Sequence, residues 1–128
     1  MIDRVSWILG AAFLNLFPLP RQAGFRRSFA YAGECVDLGY NLLIFPEGHH
    51  THDGKLLPFQ SGVGLLVNSL RIPVVPLKIK GLFEVKTAGR KFAWPREIRI
   101  HIEKPVDFGS EEDPAAIAAS LQKIIEEL

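Results

Sequence analysis

The sequence of 128 residues suits one domain, and its 48% hydrophobic and 23% charged residues exclude a disordered chain. A formal net charge of +1 gives no global electrostatic reason to expect nucleic-acid binding. The single cysteine, Cys35, excludes an internal disulfide, so we expect a reducing, cytoplasmic compartment.

The N-terminal stretch from Val5 to Pro20 is strongly apolar. It is too short to span a membrane, because a spanning helix needs about 20 predominantly apolar residues. Residues 2–13 predict a helix buried on several sides, and burial inside a protein and contact with a membrane surface are both open. The prolines at positions 18 and 20 then predict a stiff extended segment that holds Arg21.

Two elements are predicted before the middle of the chain. An amphipathic helix from Gly24 to Leu38 follows from apolar residues spaced by four, three and four, and Gly39 ends it. The run from Leu42 to Phe45 is apolar without alternation, which predicts a strand buried on both faces.

The second half adds a helix near Ser61, strands at Val74–Lys80 and Glu97–Ile102, and a helix from about Pro114 to the end. The isoleucines of the alternating second strand are predicted to face inward, with Arg99 and His101 outward. This order predicts an α/β fold with a mixed, mostly parallel sheet flanked by helices. Ligands of such sheets gather beyond the carboxyl ends of the strands, and Glu47 lies just beyond one predicted strand.

Glu47 and Gly48 are the first candidates for a site. The carboxylate can accept hydrogen bonds from a polyol or orient a cationic partner. It can equally be a turn carboxylate that binds N–H groups of the following loop, and the residues alone leave both roles open.

Five basic side chains are candidate partners for a phosphate group, because arginine in particular binds its oxygens with two hydrogen bonds. The N-terminus predicted at Ser61 and Gly62 adds backbone N–H donors. The basic candidates are Arg21, Arg26, Arg27, Lys78 and Lys80.

The loop with His49, His50, His52 and Asp53 raises the alternative of a metal-binding protein, since imidazole and carboxylate are common ligands. Neighbouring histidines point apart and no helical spacing brings them together, so we predict no metal site. Substrate contact and a solvated loop are the remaining interpretations.

Several motifs, taken together, resemble the glycerolipid acyltransferases that include lysophosphatidic acid (1-acylglycerol-3-phosphate) acyltransferase. Their order and spacing match the third and fourth motif blocks of that family, and the segment at positions 17–21 resembles the second. The matching residues are Phe45-Pro46-Glu47-Gly48, Asp53-Gly54, Leu57-Pro58-Phe59, Gly62, Ile72-Pro73-Val74-Val75-Pro76-Leu77, Gly81 and Phe17-Pro18-Leu19-Pro20-Arg21.

The resemblance implies a glycerol-3-phosphate acyltransferase-like fold and one acyltransferase-like domain over residues 1–128 that lacks an N-terminal portion. It also implies transfer of a fatty acyl group from acyl-CoA or acyl carrier protein to a glycerophospholipid hydroxyl, with no further cofactor, at the inner face of a membrane. The implied substrate-binding residues are Arg21, Phe45, Pro46, Glu47, Gly48, His49, His50 and Gly62.

Two departures from the family pattern matter for function. The family uses a histidine with an aspartate five positions later to remove the hydroxyl proton, and none of the four histidines here has that partner. The family usually has arginine or another polar residue where this chain has His50, and a neutral imidazole binds phosphate less firmly until it is protonated.

Three hypotheses follow. The chain is the acceptor-binding part of an acyltransferase whose histidine and aspartate lie in further upstream sequence, or it is a non-catalytic lipid-binding or regulatory module. The third hypothesis is the metal-binding loop.

Overall fold

A computed structural model describes residues 25–85, 97–109 and 113–128 of the chain. The chain divides into two compact units, residues 1–43 and 44–128. The helix predicted over residues 2–13 and the segment that holds Arg21 lie outside the described residues. The described elements are α1 (Phe25–Asp37), α2 (Ser61–Leu70), β1 (Leu77–Lys80), α3 (Leu82–Val85), β2 (Arg99–Ile102) and α4 (Pro114–Glu127).

The helix predicted from Gly24 to Leu38 and its glycine stop are confirmed in α1. The N–H of Gly39 donates to the carbonyl of Val36 at 2.8 Å, and the N–H of Tyr40 donates to the carbonyl of Cys35 at 2.9 Å. Gly39 has φ 83°, so this is the left-handed ending that glycine favours at the end of a helix.

The core of the second unit lies between α2 and α4, which confirms both predicted helices. Gly64 of α2 lies so close to Pro114 that a Cβ there would overlap the proline carbonyl oxygen. This approach lets apolar side chains of the two helices bury one another. The buried cluster consists of Val63, Val67, Ile117, Ala118 and Leu121, with Phe59, Val74 and Phe108 packed against it.

β1 and β2 form a two-stranded antiparallel sheet in which Leu77 pairs with Ile102 and Lys80 pairs with Arg99. Before β1, Val74 forms an isolated bridge with Val106. The buried Pro76 lies between this bridge and the regular ladder. Proline has no N–H to donate to a neighbouring strand, so the ladder is interrupted at this residue.

The strand predicted at Leu42–Phe45 is wrong. These residues are in no strand, and the side chains of Leu43 and Phe45 are 76% and 67% exposed. A strand needs a hydrogen-bonded neighbour, and among the described residues the only paired strands are β1 and β2, which are antiparallel. The mostly parallel sheet is therefore not confirmed in the described part of the chain.

The inward orientation predicted for the isoleucines of β2 is also wrong, because Ile100 and Ile102 are 59% and 66% exposed. The opposite face of the sheet carries the lysines of β1. Lys78 Nζ donates to the carbonyl of Glu126 at 3.2 Å, and Lys80 Nζ donates to the carbonyl of Leu128 at 2.6 Å. Cations are favourable at the carbonyl end of a helix, so the polar face interacts with α4 and the isoleucines face away.

Within the ranges that the structure describes, no helix combines the length and apolar character needed to cross a membrane.

We expect Gly64→Ala to destabilise the chain by about 1–3 kcal/mol, the usual cost of overpacking, after any gain in helix propensity. The added methyl group would collide with the Pro114 carbonyl oxygen and push α2 away from α4. Urea unfolding monitored by circular dichroism measures the effect. Ser69→Ala, at an exposed position of the same helix, is the matched control. Equal stability of the two variants would contradict this account of the helix contact.

Candidate functional site

The segment Phe45-Pro46-Glu47-Gly48 forms a tight turn. The N–H of Gly48 donates to the carbonyl of Phe45 at 3.2 Å, and Gly48 has φ 67°. Proline at the first corner fixes the backbone angle that such a turn needs, and glycine takes the positive φ at low cost. The turn therefore places the carboxylate of Glu47 at its second corner.

Two hydrogen bonds fasten the returning chain to this turn. Glu47 is half-buried, and its Oε2 accepts the N–H of Leu57 at 2.8 Å. The carbonyl of Pro46 accepts the N–H of Gln60 at 2.9 Å, immediately before α2 begins. Of the two roles open for Glu47, binding of loop N–H groups is therefore confirmed for one carboxylate oxygen. Its Oε1 has no hydrogen-bond partner among the described residues.

The loop between these bonds is braced from within by Asp53. Its Oδ1 accepts the Thr51 hydroxyl at 3.0 Å and the Lys55 N–H at 3.1 Å. These bonds lower the pKa of Asp53 from its ordinary value of 3.8, and the bond from the Lys55 amide has the largest effect. The aspartate thereby holds the shape of the loop.

The tip of the loop packs against α3. A Cβ at Gly54 would lie 3.1 Å from Cδ1 of Phe83, so the aromatic ring contacts the backbone of the loop at this point. A larger residue at position 54 would have to displace the ring.

The histidines of the loop point to solvent. His49, His50 and His52 are exposed and make no hydrogen bond or ion pair with any residue that the structure describes. Across the described ranges, no three His, Cys, Asp or Glu side chains converge as metal ligands. The metal-binding alternative therefore has no ligand set in this part of the molecule.

The structure brings several of the predicted site residues together. The bond from Gln60 to Pro46 places the first turn of α2, and so Gly62, beside the turn that carries Glu47 and Gly48. Gln60 gives α2 no side-chain cap. The first amides of a helix have no partner within it, so the N-terminus of α2 can bind an anion at this place.

Of the five predicted basic residues, the structure describes Lys78 and Lys80 in the same compact unit as this turn. Arg21 lies outside the described residues, and Arg26 and Arg27 are exposed on α1, in the other compact unit. Lys78 and Lys80 bind the last carbonyls of α4. A phosphate role for these two lysines is therefore not supported, since their ammonium groups already have partners.

The sequence interpretation missed the residues that hold the loop in place. Leu57 and Gln60 act through backbone N–H groups, which every residue except proline carries, so their side chains give no signal. Gln122 of α4 accepts the N–H of Phe59 at 3.0 Å and so binds the returning chain to the core. Such a contact between distant residues becomes visible only in the fold.

A cavity of about 310 Å³ lies elsewhere, between the segment after β2 and the end of α4. Its lining carries Lys104 together with Glu103 and Glu127, and none of the predicted site residues. Its mixed charge gives no reason to assign it an anionic ligand.

Comparison with known proteins defines the class of the chain. The sequence profile of the family described as Acyltransferase matches residues 4–80. The chain therefore belongs to this acyltransferase family, and the resemblance predicted from the motif blocks is confirmed.

Individual relatives agree with this assignment. The chloroplastic 1-acyl-sn-glycerol-3-phosphate acyltransferase BAT2 of Brassica napus is 32% identical over 117 residues, which are 88% of this chain and 33% of that protein. The alpha form of 1-acyl-sn-glycerol-3-phosphate acyltransferase from Mus musculus is 28% identical over 64 residues, 49% of this chain and 22% of that protein. The chain thus spans about a third or less of the length of these two curated relatives.

The fold matches a solved structure. The crystal structure of the 1-acyl-sn-glycerophosphate acyltransferase PlsC from Thermotoga maritima superposes with a TM-score of 0.72 at 24% sequence identity. The match covers 80% of this chain and 44% of that one. The chain therefore has the fold of this acyltransferase over most of its length.

We expect the amide proton of Lys55 to shift with pH with a midpoint below 3.8, the ordinary pKa of the Asp53 carboxyl. Because the pKa is lowered in the fold, the stabilisation is complete above the ordinary value and is lost as the pH falls through the folded value. A ¹H–¹⁵N titration measures the midpoint, and Asp53→Asn should abolish the transition. A midpoint at or above the ordinary value would show that the loop bonds do not stabilise the carboxylate.

Proposed function

We propose that the chain supplies the acceptor-binding part of an acyltransferase that transfers a fatty acyl group from acyl-CoA or acyl carrier protein to the hydroxyl of a lysophosphatidate-like acceptor. The observation that carries the proposal is the turn at Glu47, fastened beside the N-terminus of α2 with His49 and His50 exposed in the adjoining loop. Family membership and the names of the relatives support the reaction class.

The turn residues are assigned to the glycerol part of the acceptor. Oε1 of Glu47 is available to a hydroxyl group, and Gly48 leaves room for a ligand because it has no side chain. Phe45, 67% exposed, and Pro46 offer apolar surface beside them.

The phosphate is assigned to donors that surround the turn. The first amides of α2, including that of Gly62, supply partial positive charge. His49 and His50 supply imidazole N–H groups, and a protonated histidine adds a full charge. Arg21 is assigned to the same phosphate because the second motif block of the family contains this arginine.

The chemistry itself needs a base that this sequence does not identify. The acceptor hydroxyl must lose a proton as its oxygen attacks the thioester carbonyl, and no histidine here has the expected aspartate. We therefore assign acceptor binding, and no catalytic residue, to this chain. The same observation favours a second candidate, a lipid-binding or regulatory module without catalysis.

We propose further that the chain works at the inner, cytoplasmic face of a membrane, because its acceptor and its product are both amphipathic. Recognition would combine a polar headgroup site with an acyl chain that stays in the lipid.

We expect the chain to bind short-chain lysophosphatidate more tightly than monoacylglycerol of the same chain length, because only the former carries the phosphate. Isothermal titration calorimetry below the critical micelle concentration measures both. His50→Ala should weaken lysophosphatidate binding roughly 10-fold, the usual effect of losing a charge-assisted hydrogen bond.

His101→Ala is the matched control, since this histidine lies in β2 and is not assigned to the site. Equal affinity for the two lipids would contradict the proposal. Acyl transfer by the purified chain would contradict the assignment of binding alone, whereas binding without transfer by the longest natural form of the protein would favour the regulatory module.

A further inference from the structure

The carboxylate of Glu47 joins the two ends of the loop. Its Oε2 binds the N–H of Leu57 across ten positions of sequence, at 2.8 Å and in half-buried surroundings. This bond closes the base of the loop that carries the histidines. Partial burial strengthens such a bond because water competes less for its partners.

The neighbouring bond from Gln60 to the Pro46 carbonyl differs in kind. It joins two backbone groups, at 2.9 Å, and so it survives any change of side chain at position 47. The attachment of Leu57 depends on the side chain of Glu47 alone. A substitution at position 47 therefore removes the bond to Leu57 but leaves the bond from Gln60 to Pro46, which can serve as an internal control.

The position of His49 and His50 depends on these attachments. The two residues follow the turn directly, while Asp53 and Phe83 brace the far part of the loop. Neither histidine is held by a hydrogen bond to any described residue, so the backbone of the loop sets the region that the imidazole rings can reach.

Charge also argues against a direct role of this carboxylate at a phosphate. A negative side chain beside an anionic headgroup repels it, and the repulsion is stronger in partly buried surroundings than in water. Acceptance of a neutral N–H carries no such cost. The carboxylate is thus better suited to holding the loop than to touching the phosphate.

We propose that Glu47 is a positioning residue, which acts on the acceptor by bonding the Leu57 amide and so fixing His49 and His50 beside the start of α2. This inference rests on the proposed function, in which those histidines contact the phosphate of the acceptor. It assigns the main effect of Glu47 to Oε2 and to hydrogen-bond acceptance, independent of negative charge.

The test compares Glu47→Gln with Glu47→Ala in the chain as it exists. Glutamine keeps one carbonyl oxygen for the Leu57 amide but loses the charge. Its NH2 group takes the place of Oε1, where it can donate a hydrogen bond to a hydroxyl oxygen of the acceptor instead of accepting one. Alanine loses the bond entirely. Two quantities are measured: hydrogen exchange of the Leu57 and Gln60 amides, and affinity for short-chain lysophosphatidate by calorimetry.

We expect Glu47→Ala to lose protection of the Leu57 amide and affinity for lysophosphatidate, each on the order of 10-fold. The Gln60 amide should stay protected, which shows that the variant is folded. Glu47→Gln should retain both quantities within about 3-fold of the original chain, since a neutral hydrogen bond replaces a charge-assisted one.

Two results would overturn the inference alone. One is a glutamine variant that protects Leu57 but binds lysophosphatidate as weakly as the alanine variant, because the charge or Oε1 would then be what the ligand needs. The other is an alanine variant that loses the Leu57 bond but binds normally. Absence of binding by the unaltered chain would instead overturn the proposed function, and this inference with it.

Discussion

The backbones of α2 and α4 approach so closely at Gly64 and Pro114 that no side chain fits between them. The rest of the second unit follows from this contact. It brings the apolar faces of the helices together and places Gln122 where it binds Phe59, on the segment that leads into α2. The start of α2 is thereby fixed, and the turn at Pro46 is bound to it through Gln60. A packing constraint in the core thus positions a polar loop at the surface.

The residues that stabilise the second unit differ from those with a proposed role in binding. The buried cluster contains only apolar side chains, and the described residues include no buried polar or charged side chain. In the second unit, the polar groups with a proposed role lie on the turn, in the loop and at the N-terminus of α2, where water can reach them. Substitution of a histidine in the loop should therefore leave the core intact.

Periodicity predicted the helices because the residues that a helix buries recur every three or four positions in the sequence. The stripe of α1 and the stop at Gly39 are examples, and the turn at Glu47 followed from proline and glycine in the same local way. The motif blocks gave the family for a different reason, since an ordered series of short motifs is more specific than any single one.

Non-local information was needed for the rest. The apolar run before Phe45 predicted burial, but composition cannot say whether a neighbouring strand exists to pair with it. The alternation of polar residues and isoleucines in β2 correctly assigned them to opposite faces of the strand. It could not tell which of the two faces α4 would contact. Lysines of β1 looked like candidates for a phosphate until the fold showed them at the helix carbonyls. The bond from Glu47 to Leu57 joins a side chain to a backbone amide. Because every residue except proline has such an amide, the residue type at position 57 could not predict this bond.

The outward isoleucines of β2 affect how the molecule behaves among its own copies. Ile100 and Ile102 lie in β2 and Ile98 lies just before it, and each is at least 47% exposed. Exposed apolar side chains of this kind favour association with whatever apolar surface is near. Concentrated solutions of the chain should therefore be prone to self-association, independent of the chemistry of the histidine loop.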